Sequence, residues 1–143
     1  MTITVPQTAI RLGWWGLLPF VAAPIAVYGS PGQADLVGAA VAAYALAIVC
    51  FLAGAWWGIA LLRRKQDILV ASNVVVIIAC LGFVLLDLPT AMLLLAALLL
   101  AVVAVERLHP VFRPQPDYYA ALRMRLSIVA GLSLLLSSLL LRV

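Results

Sequence analysis

Long unbroken runs of apolar residues, separated by short polar or charged links, dominate the chain. Five of these runs are long enough to cross the hydrocarbon core of a membrane as a helix, which takes about 20 residues. Their predicted bounds are 12–29, 36–62, 68–86, 90–108 and 121–141. The alternation of polar and apolar positions that a membrane barrel needs is absent. The sequence therefore predicts an all-α membrane protein, with residues 1–143 forming one bundle of five transmembrane helices.

The links between the runs have the chemistry of turns. Residues 29–32 form a Gly-Ser-Pro-Gly cluster, and residues 63–67 form a charged hairpin. Residues 87–90 form a tight turn, in which Thr90 is a candidate cap for the fourth helix. The link 109–120 is longer and contains three prolines. The fourth run has no polar residue between Met92 and Val105, so it suits lipid or a neighbouring hydrophobic subunit equally well.

Composition supports a lipid environment. Hydrophobic residues make up 67% of the chain, charged residues 10%, and the mean hydropathy is +1.23. A soluble domain is about half apolar and about a quarter charged. A disordered chain, a disulfide scaffold and a nucleic-acid-binding module are therefore excluded.

The basic residues predict how the chain is oriented in the membrane. With five spans, the N-terminus, the second link and the fourth link share one side, and that side holds eight of the nine basic residues. Arg142 alone lies on the other side. The positive-inside rule then places the N-terminus in the cytoplasm and the C-terminus on the opposite side. We expect a bacterial inner membrane or its equivalent. The eight residues are Arg11, Arg63, Arg64, Lys65, Arg107, Arg113, Arg123 and Arg125.

Residues that could carry catalysis are missing from the apolar runs. Each acidic residue, including Asp87 and Glu106, lies at a predicted helix end or in a link, and His109 is the single histidine. Asp87 is interpreted as a turn residue or as a partner for a basic group on another subunit. The sequence contains no nucleophile paired with a base, no phosphate-binding loop and no cluster of metal ligands. We therefore predict no enzymatic activity, no cofactor, no metal and no nucleic-acid partner.

Small residues indicate where helices pack closely. Gly54 and Gly58 lie four residues apart in the second span, and Gly13 and Gly16 lie close together in the first. Glycines at such spacing let membrane helices approach each other. The favoured interpretation of Gly54 and Gly58 is packing inside the bundle, and the alternative is a docking face for another subunit.

Aromatic and polar residues supply candidates for a ligand cavity. Trp56 and Trp57 precede Arg63 by one to two turns, where an aromatic belt is expected. Pro19 should kink the first helix. Asn73, the most polar residue inside any span, bonds a neighbouring helix or lines a small pocket. If the bundle encloses a ligand, Pro19, Trp56, Trp57 and Asn73 are its candidate lining.

A group of basic residues is a candidate contact for anionic lipid. The alternative is that these side chains only snorkel to the interface. The residues are Arg63, Arg64, Lys65, Arg123 and Arg125.

The order and spacing of several residues resemble a known family. The pattern comprises Leu12-Gly13-x-x-Gly16-Leu17-x-Pro19-Phe20, then Tyr44, then Phe51-Leu52-x-Gly54-x-x-Trp57-Gly58-x-Ala60, and finally Tyr119-x-x-Leu122-Arg123. It resembles the domain of unknown function 3429 family, which includes transmembrane protein 69-like proteins. The resemblance implies a bacterial or mitochondrial inner membrane and no established activity. This chain has Ala53 where the family usually has glycine, and Trp56 where the family often has histidine.

Two functional hypotheses follow. The leading one is a non-catalytic accessory subunit or assembly factor that packs against a larger membrane complex, for example one that transfers electrons. The alternative is a binder or carrier of a hydrophobic ligand such as a lipid, quinone or porphyrin. A pocket of several hundred Å³ would favour the second, since small-molecule sites measure about 300–1,000 Å³.

Overall fold

Six α-helices build the computed structural model, which describes residues 4–143 and contains no strand within that range. Two short 3-10 turns, Pro31–Gln33 and Pro110–Phe112, lie in the links. The model has five helical segments long and apolar enough to span a membrane, because α1 and α2 form one segment together. The all-α, five-span prediction is confirmed. The helices are α1 (Val5–Gly16), α2 (Leu18–Gly29), α3 (Ala34–Arg63), α4 (Gln66–Leu85), α5 (Leu88–Leu108) and α6 (Asp117–Leu140).

Four helices form the centre of the bundle and two lie at its flanks. Helices α2, α3, α5 and α6 pack against one another around buried Leu95, Leu99 and Leu134. Helix α4 contacts α3 and α5, while α1 contacts α6 and α2. The wholly apolar fourth run is therefore the central helix α5, with Met92 and Leu95 fully buried. Its apolar surface is largely covered by helices of its own chain.

The first span differs from its predicted bounds. It begins at Val5 instead of residue 12, where the N–H of Thr4 donates a hydrogen bond of 3.2 Å to Gln7 Oε1 at the helix start. It is also divided at Leu17, whose N–H bonds the Trp14 carbonyl at 3.1 Å. Pro19 causes this division, because it has no N–H to offer the carbonyl of Trp15 and its ring crowds that carbonyl.

The remaining helices differ from their predicted bounds by up to four residues. Helix α5 begins at Leu88, two residues before the predicted start, and Asp87 caps it. The Asp87 carboxylate accepts hydrogen bonds from the Thr90 N–H at 3.1 Å and the Thr90 hydroxyl at 3.0 Å. Thr90 is therefore a donor to the cap and not the cap itself.

Close approach between helices occurs at two glycines that the sequence analysis did not name. A Cβ added to Gly38 would lie 2.7 Å from Leu141 Cδ1, and one added to Gly82 would overlap Leu94. These glycines let α3 approach α6 and let α4 approach α5.

Candidate functional site

A groove of about 400 Å³ runs along the bundle between α1, α3 and α6. Its walls are almost wholly apolar, and Leu99 of α5 contributes to its lining. The groove therefore offers an apolar space of the size that small-molecule ligands occupy. Its lining residues are Ala9, Leu12, Gly13, Gly16, Leu17, Phe20, Ile48, Phe51, Leu52, Ala55, Leu99, Tyr119, Leu122, Arg123, Leu126, Ser127 and Ala130.

The division of the first span at Leu17 shapes this groove. The Tyr44 hydroxyl of α3 donates a hydrogen bond of 3.1 Å to the carbonyl of Gly16 at the end of α1. The Tyr44 ring lies 5.3 Å from the ring of Phe20, which lines the groove. Toward its N-terminus, α1 packs against α6. Within the described residues, the backbone of α1 does not come close to that of α3. The gap between α1 and α3 is the mouth of the groove.

Helix α6 supplies the polar groups of the groove in one line. Tyr119, Arg123 and Ser127 follow each other at intervals of four residues, so they lie on one face of the helix. Ser127 is 5% exposed and lines the groove. The groove thus has an apolar wall and a polar stripe that starts at the basic end of the bundle, where most of the cations lie.

A buried ion pair fixes Arg123 beside the groove. Its Nη2 donates to Glu106 Oε1 at 2.5 Å, and its Nε donates to Glu106 Oε2 at 3.2 Å. The indole Nε1 of Trp56 donates to Glu106 Oε1 at 2.9 Å. The two charged side chains are only 12% and 9% exposed. One carboxylate therefore joins α3, α5 and α6, and it orients the guanidinium group.

The α5–α6 link covers this cluster. Phe112 is buried, and its ring lies 5.4 Å from the ring of Trp56. Arg63 Nη1 donates to the carbonyl of Arg113 at 2.8 Å, and Arg113 Nη2 donates to the carbonyl of Arg107 at 3.1 Å. Two of the basic side chains thus hold the link in place. An open depression of about 480 Å³, lined by Arg107 and Arg113, lies over this link at the surface.

The glycines expected to mediate packing separate into two groups. A Cβ added to Gly13 would lie 2.7 Å from Leu126 Cδ1, so Gly13 allows α1 to approach α6. Gly16 faces the Tyr44 hydroxyl. By contrast, Gly54 and Gly58 are exposed on the outer surface of α3, with nothing within 4 Å of an added Cβ. The favoured interpretation, that Gly54 and Gly58 pack inside the bundle, is therefore wrong.

The candidate ligand-lining residues do not come together. Trp56 is 1% exposed and bonded to Glu106, while Trp57 is 44% exposed on the outside of α3. Pro19 borders a separate shallow hollow between α2 and α3. Asn73 faces outward and donates to the carbonyl of Leu69 in its own helix at 2.8 Å, so it does not bond a neighbouring helix. The lining that sequence reasoning proposed is not the lining of the groove.

The candidate lipid-contact cations also separate. Arg123 is the partner of Glu106, whereas Arg64, Lys65 and Arg125 are exposed at the basic end. Arg64 adopts a left-handed conformation, with φ of 53°, at the turn after α3. The five cations therefore do not converge on one headgroup site.

At the opposite end, polar contacts join α5 to α6. The Ser138 hydroxyl donates to the carbonyl of Pro89 at 2.8 Å, and Arg142 Nη2 donates to the Thr90 hydroxyl at 3.0 Å. Hydrogen bonds from the side chain and backbone of Thr90 hold the pKa of Asp87 below its usual value of 3.8. Asp87 therefore has partners within this chain.

Sequence reasoning missed three residues of the site. Glu106 was assigned to a helix end, although it is the buried centre of the ion-pair cluster. Tyr119 and Ser127 were not singled out for the site, although they flank Arg123 at four-residue spacing. That spacing is visible in the sequence and was the signal for a polar stripe.

Comparison with known proteins gives a family but no activity. The family model described as "Protein of unknown function (DUF3429)" matches residues 5–139. Transmembrane protein 69 of Xenopus tropicalis is 34% identical over 136 residues, which cover 90% of this chain and 53% of that protein. The chain thus spans about half the length of this curated relative. No solved structure matches. Together with the five apolar helices, the similarity identifies a multi-pass membrane protein.

Proposed function

This chain belongs to the DUF3429 family, and we propose that it is a non-catalytic membrane protein that binds one hydrophobic ligand in the groove between α1, α3 and α6. The observation that carries this proposal is the groove itself, whose volume of about 400 Å³ lies at the lower end of the range for small-molecule sites. The distribution of basic residues supports a cytoplasmic N-terminus, in a bacterial inner membrane or its equivalent.

The form of the groove supports a ligand that comes from the bilayer. Its mouth opens sideways between α1 and α3, and exposed Phe51 and Leu12 lie at this mouth. An apolar molecule dissolved in the membrane reaches such a mouth without crossing water. The volume suits one chain or one small ring system rather than a large ligand.

A groove-filling variant tests this proposal. Ala55→Phe places a ring in the groove, and Ala43→Phe places the same ring on the outer surface of the same helix, outside the groove. We expect wild-type protein and the Ala43 variant, purified in mild detergent, to retain the same small molecule on extraction and mass spectrometry. The Ala55 variant should lose it. Equal retention by all three proteins would contradict the proposal.

A second candidate function is that of an accessory subunit or assembly factor that docks on a larger membrane complex. The outward position of Gly54 and Gly58 favours it, because such glycines let a helix of another protein approach closely. These glycines neighbour Ala55 at the groove, so a docked helix would border the groove mouth.

Native electrophoresis of mild-detergent extracts separates the two candidates. Docking predicts that wild-type chain co-migrates in fixed stoichiometry with a larger complex, and that Gly54→Leu abolishes this while Ala43→Leu does not. Migration of the wild type near the mass of one chain would argue against docking and leave ligand binding as the surviving function.

A further inference from the structure

We propose that the groove ligand is an anionic glycerophospholipid, whose phosphate binds at Arg123 and Tyr119 and one of whose acyl chains lies along the apolar wall. This inference rests on the ligand-binding function proposed above and names the class of ligand. Three features carry it: the direction of the polar stripe, the unused hydrogen-bonding capacity of Arg123, and the position of Ser127 in the groove wall.

The polar stripe matches the order of chemical groups in a phospholipid. Tyr119 lies near the start of α6 at the basic end, and Ser127 lies about 12 Å farther along the helix axis, at 1.5 Å per residue. Beyond Ser127 the α6 wall continues with Ala130, and Phe20 of α2 lines the same groove. A lipid whose charged end lies at the start of α6, and whose apolar tail lies deeper in the membrane, has its chemical groups in the same order as the groove wall.

Arg123 retains donors for a ligand. Its Nε and Nη2 are bonded to Glu106, which leaves Nη1 with no partner within the described residues. The carboxylate holds the guanidinium plane in one orientation, so a ligand oxygen meets a preorganised donor. Because Arg123 lines the groove, we infer that this nitrogen is available at the end where the headgroup would lie.

The charge around this end of the groove favours an anion. Arg11 is exposed and immediately precedes Leu12 of the groove wall, while Glu106, the carboxylate beside Arg123, is already paired with that guanidinium. Basic side chains near the membrane surface attract anionic headgroups.

Ser127 favours a phospholipid over a free fatty acid. Ser127 is 5% exposed and lines the groove, so its hydroxyl can donate a hydrogen bond to an acceptor on the ligand. The ester carbonyl of a glycerophospholipid lies below the phosphate, toward the apolar tail, whereas a fatty acid has no acceptor beyond its carboxylate.

A lipid titration followed by native mass spectrometry tests the assignment. Delipidated full-length protein is titrated with phosphatidylglycerol, phosphatidylcholine of the same acyl chains, and oleate. Both phosphates can accept a hydrogen bond from Arg123, but the choline ammonium of phosphatidylcholine cancels the net charge of that lipid and is repelled by the guanidinium. We therefore expect phosphatidylglycerol to bind about tenfold more tightly than phosphatidylcholine. Glu106→Gln with Arg123→Gln removes the guanidinium but keeps hydrogen-bonding side chains, and it should abolish the preference. Tyr119→Phe, which changes one hydroxyl, should reduce it, and Ser127→Ala should weaken both phospholipids but not oleate.

The outcomes separate this inference from the proposed function. If both phospholipids bind equally well and Ala55→Phe abolishes their binding, the ligand is not specifically anionic, although the groove does bind a ligand. Tighter binding of oleate than of phosphatidylglycerol would make a free fatty acid the occupant and overturn the phospholipid. If Ala55→Phe leaves the binding of every lipid unchanged, the groove is not a ligand site.

Discussion

The indole Nε1–H of Trp56 donates a hydrogen bond of 2.9 Å to Glu106, which lies 50 residues later in the chain. The same carboxylate accepts two hydrogen bonds from Arg123. Three helices thus share one buried carboxylate directly beneath the α5–α6 link. The arrangement gives the end of the groove a fixed guanidinium group, and it makes Glu106 a critical residue for stability.

Removing one partner of this ion pair should destabilise the protein strongly. Glu106→Ala leaves the Arg123 charge largely buried without a counter-ion, and breaking such a pair costs about 3–5 kcal/mol. Thermal unfolding in detergent measures this. The double variant Glu106→Leu with Arg123→Leu buries no charge, so we expect it to be more stable than Glu106→Ala. If the double leucine variant is less stable than Glu106→Ala, this expectation is wrong and the ion pair of Glu106 and Arg123 contributes net stability.

Trp56 should contribute through both its N–H and its ring. Trp56→Phe removes the donor to a charged acceptor, and we expect a loss of about 1.5–3 kcal/mol in the free energy of unfolding. Trp56→Ala also leaves a cavity against Phe112, so its loss should be larger, about 3–5 kcal/mol. Trp57→Phe, on the outer surface of the same helix, is the matched control and should change stability little. Equal effects of the Trp56→Phe and Trp57→Phe substitutions would argue against the hydrogen bond.

Two glycine-to-alanine substitutions should have effects of opposite sign. At Gly82 the added methyl overlaps the Leu94 side chain, which must leave its position, and such overpacking costs about 1–3 kcal/mol. At Gly54 the methyl meets nothing within 4 Å, and alanine favours the helix by about 0.4–1 kcal/mol. Comparison of the two unfolding temperatures in detergent checks this. Destabilisation by Gly54→Ala in the isolated protein would place that glycine in a contact within the bundle.

Because of Asp87, the stability of the folded protein should fall at acidic pH. Its pKa in the folded protein is below the usual 3.8, so the ionised carboxylate stabilises the cap. This contribution is fully present above the pKa of the unfolded chain and is lost as the pH falls through the lower, folded pKa. Asp87→Asn keeps a capping side chain but does not titrate there. We therefore expect acidification below about pH 4 to lower the unfolding temperature of the wild type more than that of Asp87→Asn. Parallel curves for the two proteins would rule out this role for Asp87.

Hydropathy was sufficient to predict the number of spans and their approximate bounds, because the bilayer requires long apolar helices. It could not predict which helix lies at the centre. The apolar run of α5 looks suited to lipid, yet neighbouring helices bury it, since both environments favour the same residues. Likewise, glycine spacing indicates that close approach is possible but not between which helices. Gly54 and Gly58 face outward, while Gly38 and Gly82 mediate the contacts.

The site was only partly predictable, because it depends on residues that are distant in sequence. Gly13, Gly16 and Arg123 were singled out and do line the groove, although for other stated reasons. Glu106 looked like an interfacial acid, since nothing in its local sequence reveals that Trp56 and Arg123 enclose it. Only the tertiary packing of α3, α5 and α6 makes that carboxylate buried.

Photocrosslinking from inside the groove tests whether a lipid occupies it. A photoreactive diazirine analogue of phenylalanine replaces Phe20, which is 2% exposed and lines the groove, and the same analogue at Trp57 samples the outer surface. Irradiation of native membranes and mass spectrometry of the purified chain identify the adducts. We expect position 20 to acquire one defined lipid-sized adduct, while position 57 acquires the mixture of the surrounding bilayer. Crosslinks from position 20 that lead only to other residues of this chain would contradict lipid binding in the groove.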